Sequence, residues 1–288
     1  MNSRMKISIL LHQKDSPGKP NTHLIWGIAR FWKEMGFRVE VLRGVAGSKP
    51  QTDLLVPHID LTRVPDEYIE YMAAVPHVLN RGITDISKRR ISGNLLTRTD
   101  TYEAPVIVKT DKNCGGFPEL RMSILLRIEK RLSRLTGIRP SPFSAKSTAL
   151  ALDDYFLFPN LRAVPPEVWS NPDLVVEKFI PERKEPYYSI RVCLFLGNAI
   201  LNRRLLSTSP IIKGLPELSE TIDVPEDLLK VRKRLGFDYG KIDYVVHQGK
   251  AHIIDANKTP GILAAPEVSA SICGKLAKGV LYCLEESR

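Results

Sequence analysis

Cysteine is scarce in this sequence and follows no pattern. The four thiols, Cys114, Cys193, Cys273 and Cys283, lie far apart with no CxxC and no Cys/His ligand spacing. That excludes a disulfide framework and a zinc site, and it reads as reduced thiols. Long apolar runs are missing too. The first, Ile7 to Leu11, breaks at His12-Gln13-Lys14-Asp15, too short for a signal-peptide core, and nowhere do about 18 apolar residues run together as a membrane span requires. A cytoplasmic protein without a membrane segment is expected. The first strand-to-helix turn, HQKDSPGKPNTH, has no GxGxxG, so no nucleotide is assigned there. There is no Ser/His/Asp or Cys/His set either.

What is present suffices for a sizeable core: 288 residues, 43% of them hydrophobic, fit one large domain or two to three packed smaller ones. The net charge of +10 suits nucleic acid, an acidic membrane or a polyanionic small ligand. In the densest basic run Leu120, Ile124, Ile128, Leu132 and Leu135 recur at helical spacing while Arg121, Arg127, Lys130, Arg131 and Arg134 take other faces. No aromatic residue interleaves these charges to stack on bases, so a solvated surface helix is expected, and no specific nucleic-acid contact.

Along the chain, MKISILL, FRVEVLRG and TDLLVPHID read as strands and NTHLIWGIARFWKEMG as a helix ended by Gly36. This alternation predicts a parallel, Rossmann-like α/β sheet. Ligands of such sheets sit at the carboxyl ends of the strands, which places His12, Asp15, His58 and Asp60 as substrate-facing candidates or as plain loop-forming residues. ISKRRISGNLLTR reads as a helix. APVIVKTDKNCGGFPE is a strand ending in Lys109 that runs into Gly115-Gly116, where backbone N–H groups can approach an anion unobstructed. The Pro/Ser/Thr-rich stretch TGIRPSPFSAKSTALALDDY reads as an exposed connection. Beyond it lie strands at DYFLF, Leu174 to Glu177 and Ser189 to Leu196, then a turn at Gly197-Asn198 and a partner strand bearing Arg203 and Arg204, with Lys213 further on.

The segment KIDYVVHQGKAHIIDANKTPG is a hairpin with acids among apolar residues. Asp255 and Asn257 are two apart and share a face. A two-residue loop at Gln248-Gly249 would set Asp243 on the other face. A three-residue loop, His247-Gln248-Gly249, sets it diagonal to Asp255 and is the expected one, with Gly249 as the left-handed residue. Two carboxylates and an amide oxygen on one face suit magnesium, which keeps water and takes phosphate oxygens as further ligands. The same three side chains serve equally as solvated edge residues.

The succession LNRGITDISK, VIVKTDKNCGG, LVVEKFIPE, YSIRVCLFLG, RRLL and KIDYVVHQGKAHIIDANKTPG resembles the ATP-grasp superfamily from about residue 80 to the end. Closest in pattern are D-alanine:D-alanine ligase, glutathione synthetase and the ribosomal-protein glutamate ligases. The resemblance implies a Rossmann-like pre-ATP-grasp domain over 1–80, an N-terminal lid subdomain over 81–180 and a C-terminal α+β subdomain with the metal site over 181–288. It implies ATP and one or two Mg2+ ions as cofactors. Lys88, Lys109 and Lys213 would contact phosphates under a lid with Gly115 and Gly116. Glu177, Lys178, Phe179 and Ile180 would hold the adenine, and Glu185, or else Glu182, the ribose. Asp243, Asp255 and Asn257 match the metal ligands, with Arg191 and Arg203 or Arg204 as the catalytic cations. Asp255 stands where these ligases carry Glu, and Lys258 where a small residue is usual. The implied activity is a carboxylate–amine ligase acting through an acyl phosphate with release of ADP and phosphate. Its partners are a small-molecule or peptide carboxylate and an amine. A hydroxyl kinase of the same fold and a catalytically silent nucleotide-binding module remain the alternatives, and monomer versus homodimer is left open.

Overall fold

The computed structural model describes residues 5–15, 23–47, 50–123, 141–144, 155–212, 216–261 and 264–285. Three parallel strands, β1 (Lys6–Leu11), β2 (Arg38–Arg43) and β3 (Leu54–His58), pair in the order β2-β1-β3. Ile7, Ile9, Leu54 and Val56 are buried on this sheet. Helix α1 (Leu24–Glu34) covers it with Leu24, Ile25, Ile28, Ala29 and Trp32, the i, i+4, i+8 stripe of an amphipathic helix. Gly36, at φ 95°, follows the helix end.

Helix α2 (Asp66–Ala73) and the single turn α3 (Lys88–Ile91) follow. The helix expected over ISKRRISGNLLTR is confined to α3: Ser92 is extended and the chain passes Gly93 into a two-residue strand, β4 (Leu95–Leu96). A four-stranded antiparallel sheet has the order β4-β7-β5-β6, with β5 Val106–Thr110, β6 Phe156–Phe158 and β7 Leu174–Lys178. Alternation along β5 and β7 buries Val106, Val108, Leu174 and Val176 together with Val168. Ile107, Lys109, Val175 and Glu177 therefore share the opposite face, where Ile107 pairs Glu177 and Lys109 pairs Val175. Between these strands Asn113–Gly116 form a 3-10 turn that leads into α4 (Phe117–Met122). Of the basic amphipathic helix expected from Leu120 to Leu135, the start falls in α4, which ends at Met122 with Ser123 extended; the rest of it and most of the connection after it lie outside the described residues.

The third sheet is antiparallel, in the order β11-β10-β9-β12-β13 with β8 on β9: β8 Glu182–Lys184, β9 Tyr187–Leu196, β10 Ala199–Ser207, β11 Leu218–Thr221, β12 Tyr239–His247 and β13 Lys250–Asn257. One face carries Cys193, Phe195, Ile242, Tyr244 and Ala256 into a core shared with Leu228 and Phe237. The other face does two things. Near Leu194, Leu196 and Tyr239 it joins the core of the first sheet, and this same core takes in Cys273, Leu276 and Ala277 from the helix Pro266–Ala277. Trp32 Nε1 donates to Ala277 O at 3.0 Å, which ties that helix to α1. Further along, that face is open and meets the four-stranded sheet across a cleft.

The terminal hairpin closes on two residues, because His247 pairs with Lys250 and Gln248 and Gly249 both have positive φ, 50° and 75°. The expected three-residue loop is corrected. An irregularity after Asp243 skips Ile254, so that Asp243 lies directly opposite Asp255 and Lys241 opposite Asn257. A bulge thus restores what the short turn would have reversed.

Candidate active site

Register assigns the faces. Residues directly opposite in an antiparallel pair point the same way, and Asp255, Asp243, Val192 and Arg203 are successive partners across β13, β12, β9 and β10. Lys241 and Asn257 share that face two residues along. Three lysines from three elements converge there. Lys88 Nζ is 2.5 Å from Asp255 Oδ1, Lys241 Nζ is 2.7 Å from Asp243 Oδ2, and Lys109 Nζ is 2.6 Å from Glu177 Oε2 on the facing sheet. Asp255 lies within electrostatic reach of all three.

Burial pushes the Asp243 carboxyl above its ordinary range, with Lys241 opposing. Burial acts on Asp255 in the same sense, but Lys88 and Lys241 outweigh it and hold that carboxyl low. Burial would lower Lys88 and Lys241, and their acid partners raise both instead. Lys88 and Asp255 thus favour each other's charged form, while at Asp243 burial and the Lys241 ammonium act in opposite senses.

A cleft with a free volume of about 100 Å³ opens beside this cluster. Ile107, Phe179 and Ile180 line one side, and Ile190, Val245 and Ile254 the other, with Lys109 and Glu177 at its polar end. Tyr155 belongs to both regions: it lines the cleft and lies in electrostatic reach of Asp255, Lys88, Asp243 and Lys241. Lys178 also lines the cleft, and its ammonium lies 5.4 Å from the Tyr102 ring centroid. An apolar slot ending in a set of cations and acids fits a flat base joined to a polyanion.

The Gly115-Gly116 turn lies against this cluster. Cys114, Gly115 and Gly116 have φ of 46°, 66° and 79°, a left-handed run that two glycines permit and that strains Cys114. Burial, with Asp255 and Asp60 adding to it, pushes the Cys114 thiol up to about 11, so it is not a thiolate nucleophile. Asn113 N donates to Thr62 Oγ1 at 2.8 Å and Thr62 N to Glu119 Oε1 at 2.7 Å, which bind the turn and α4 to the loop after β3.

Several expected assignments change. Arg191 and Arg204 are partners of each other and of Tyr244, and so occupy the face opposite Asp243 and Asp255. Arg191 is fixed to Glu182 by three contacts of 2.8–3.0 Å, and Arg204 Nη1 donates to Glu220. Of the three arginines only Arg203 shares the acid face. Glu182 also accepts from Val246 N at 2.7 Å, which leaves it bound within its own sheet. Glu185 is exposed beside Arg183. Neither acid lines the cleft as a ribose ligand would. Asn257 Oδ1 accepts from the N–H of Thr259 at 2.8 Å, so one of its lone pairs serves the turn that ends β13. Lys213 lies outside the described residues. Lys241 and Tyr155 were absent from the sequence reading. Strand alternation already put Lys241 on the Asp243 face, whereas no pattern marks Tyr155.

His12 and His58 are buried at the carboxyl ends of β1 and β3. Burial lowers both imidazoles, His58 strongly, and raises Asp15. His58 Nε2 is 2.8 Å from His23 Nδ1, and Asp60 Oδ1 accepts from the Thr259 hydroxyl at 2.8 Å. Leu24 N donates to Pro260 O at 2.9 Å. This histidine and acid group therefore adjoins the turn that follows the acid pair.

Magnesium is the metal the resemblance implies. Asp243 Oδ1 is buried with no hydrogen-bond partner among the described residues, and a second carboxylate stands directly opposite. That donor set fits a hard cation with phosphate and water as remaining ligands. No group of three or more His, Cys, Asp or Glu side chains is placed to hold a metal among the described residues.

No family model matches this chain, and no curated protein does. Solved structures of ATP-grasp ligases are similar to it. D-alanine–D-alanine ligase from Bacillus anthracis is 12% identical with a TM-score of 0.47, over 99% of this chain and 100% of that one. A RimK domain ATP-grasp protein from Sphaerobacter thermophilus is 12% identical with a TM-score of 0.45, over 95% and 99%. A RiPP-associated ATP-grasp ligase from Chryseobacterium gregarium, in complex with ADP and a leader and core peptide, is 11% identical with a TM-score of 0.49, over 95% and 97%.

Proposed function

We propose that this protein is an ATP- and magnesium-dependent carboxylate–amine ligase that works through an acyl phosphate and releases ADP and phosphate. The observation that carries the reading is the opposed pair Asp243 and Asp255, ringed by Lys88, Lys109 and Lys241 at the polar end of an apolar cleft. The base lies in the slot between Ile107 and Val245, with the hinge residues Glu177 to Ile180 along its edge. Its phosphates lie over the acid face, where Lys88, Lys109, Lys241 and Arg203 supply positive charge. Asp243 and Asp255 hold the magnesium, which when bound neutralises phosphate charge and acts as a Lewis acid.

A substrate carboxylate attacks the γ-phosphorus in line, and the Gly115-Gly116 turn covers the phosphates and limits water. The cations stabilise charge on the equatorial oxygens of the transferred group, an effect that grows in a site partly closed from solvent. An amine then displaces phosphate from the acyl carbon. His12, Asp15, His58 and Asp60, beside the turn after Asn257, form the wall against which the co-substrates rest.

The test is a screen of carboxylates with amines for stimulated ADP release, with the condensed product detected by mass and Asp255→Ala as control. Hydroxylamine in place of the amine yields a hydroxamate if an acyl phosphate forms, which a hydroxyl kinase does not give. An Asp255→Ala protein that turns over at the parent rate overturns the assignment.

A further inference from the structure

The acid pair that would bind a cation already has two. Lys88 and Lys241 each place an ammonium on one carboxylate, at 2.5 and 2.7 Å, so each acid of the pair is matched by its own lysine. Neither lysine is a loose surface residue. The Lys88 side chain is 7% exposed and its backbone N–H is bonded to Asp111 O at 3.0 Å on the first turn of α3. Lys241 projects from the middle of β12, from the register position beside Asp243. A free divalent cation entering here meets two ammonium groups within a few ångströms of the carboxylate oxygens left to it, and their repulsion opposes its binding to Asp243 and Asp255 while both lysines stay in place. A triphosphate changes that balance, because its oxygens give both ammoniums new partners inside the site and free the carboxylates at the same moment.

We propose that Lys88 and Lys241 are selectivity residues: they keep the free cation out of the acid pair and admit it only as a complex with a polyphosphate. This rests on the ligase reading and adds to it a binding order and an identified cause. Cation and nucleotide are then positively coupled. Linkage makes the coupling reciprocal, at about 10- to 100-fold in affinity for each in the presence of the other. The exchange is local, since the lysines swing between carboxylate and phosphate while the strands that carry the acids stay in register.

Mn2+ binding to the full chain tests this, followed by electron paramagnetic resonance with and without a non-hydrolysable ATP analogue. The expected result is at least about tenfold tighter Mn2+ uptake with the analogue than alone. Lys88→Met is expected to raise the affinity for free Mn2+ about tenfold and to weaken the analogue, which shrinks the coupling from both directions. Lys241→Met acts in the same sense and stands in should Lys88→Met fail to fold by circular dichroism. Wild-type protein that takes up Mn2+ alone as tightly as with the analogue overturns the inference and leaves the ligase reading standing. If neither Mn2+ nor the analogue binds, the ligase reading falls and this inference with it.

Discussion

The Lys88 ammonium and the Asp255 carboxylate meet at 2.5 Å across 167 positions of sequence. The contact joins α3 to the last strand of the chain and sets the charge state of the acid pair. Lys88→Ala leaves Asp255 without its nearest cation. Because the Asp255 side chain keeps 26% of its surface exposed, water recovers part of the loss. The expected destabilisation is about 1–3 kcal/mol, less than for a fully buried pair. The double variant Lys88→Met, Asp255→Leu should lose less than the sum of the two single variants in urea unfolding. Additive losses would show that the pair is not coupled.

Arg191 and Arg203 differ by face, and their variants should differ in kind. Removing Arg191 leaves the buried Glu182 with only Arg204 Nε at 3.4 Å and the Val246 N–H as partners, so Arg191→Met is expected to lower stability by about 1–3 kcal/mol. Arg203 lies on the acid face with Nη2 donating to Ser219 Oγ, and its Nε is buried with no hydrogen-bond partner among the described residues. Arg203→Met is expected to shift the unfolding midpoint little and to reduce ATP-dependent ADP release about 100-fold or more. Denaturation and turnover measured on both proteins separate the roles. Equal stability losses with equal activity losses would contradict the face assignment.

The tight turn of the terminal hairpin is chemically imperfect. Gly249 at φ 75° has open space where a Cβ would stand, so Gly249→Ala costs only the left-handed backbone, about 1 kcal/mol. Gln248 at φ 50° occupies a position that Asn fills more easily. Gln248→Asn is expected to gain up to about 1 kcal/mol in thermal or urea unfolding. A loss on that substitution would mean the turn is not of the two-residue form.

The strands were legible because each rests on a local signal, alternation or a run of β-formers between breakers, as at Ile7 to Leu11 and Ser189 to Leu196. The hairpin register was not, although the shared face of Asp243 and Asp255 was. Two errors cancelled, since a loop read one residue too long has the same effect on side-chain parity as a bulge at Ile254. Arg191 was misplaced for a related reason. Its alternation with Val192 was plain, but which face meets the cleft is decided by partner strands, and β9 carries core residues on both faces. Glu182 looked available for the ribose because its sequence neighbours do not reveal Arg191 and Val246 N as its partners. Lys241 was readable by the same two-residue rule that grouped Asp255 with Asn257, once Asp243 was fixed.

Lys258 follows Asn257 and is 3% exposed, yet among the described residues its ammonium donates only to Thr84 O, at 3.4 Å. Asp85, Glu119 and Asp60 are in electrostatic reach without forming an ion pair with it. Burial outweighs them and lowers the amine from 10.5 to about 8. A lysine whose folded pKa lies below its unfolded one opposes folding. The penalty is complete below about pH 8, where both states are protonated, and it is relieved as the pH rises toward 10.5, since there the unfolded chain alone still binds the proton. At pH 7 the penalty is on the order of 3 kcal/mol. Lys258→Met keeps the stem and removes the charge. It should therefore be more stable than the parent at pH 7, by up to that amount, and close to equal at pH 10, where the other titrating groups affect both proteins alike. Urea unfolding of the two proteins at both pH values measures the difference. A variant less stable than the parent at pH 7 would show that the ammonium has a partner in solution strong enough to offset its burial.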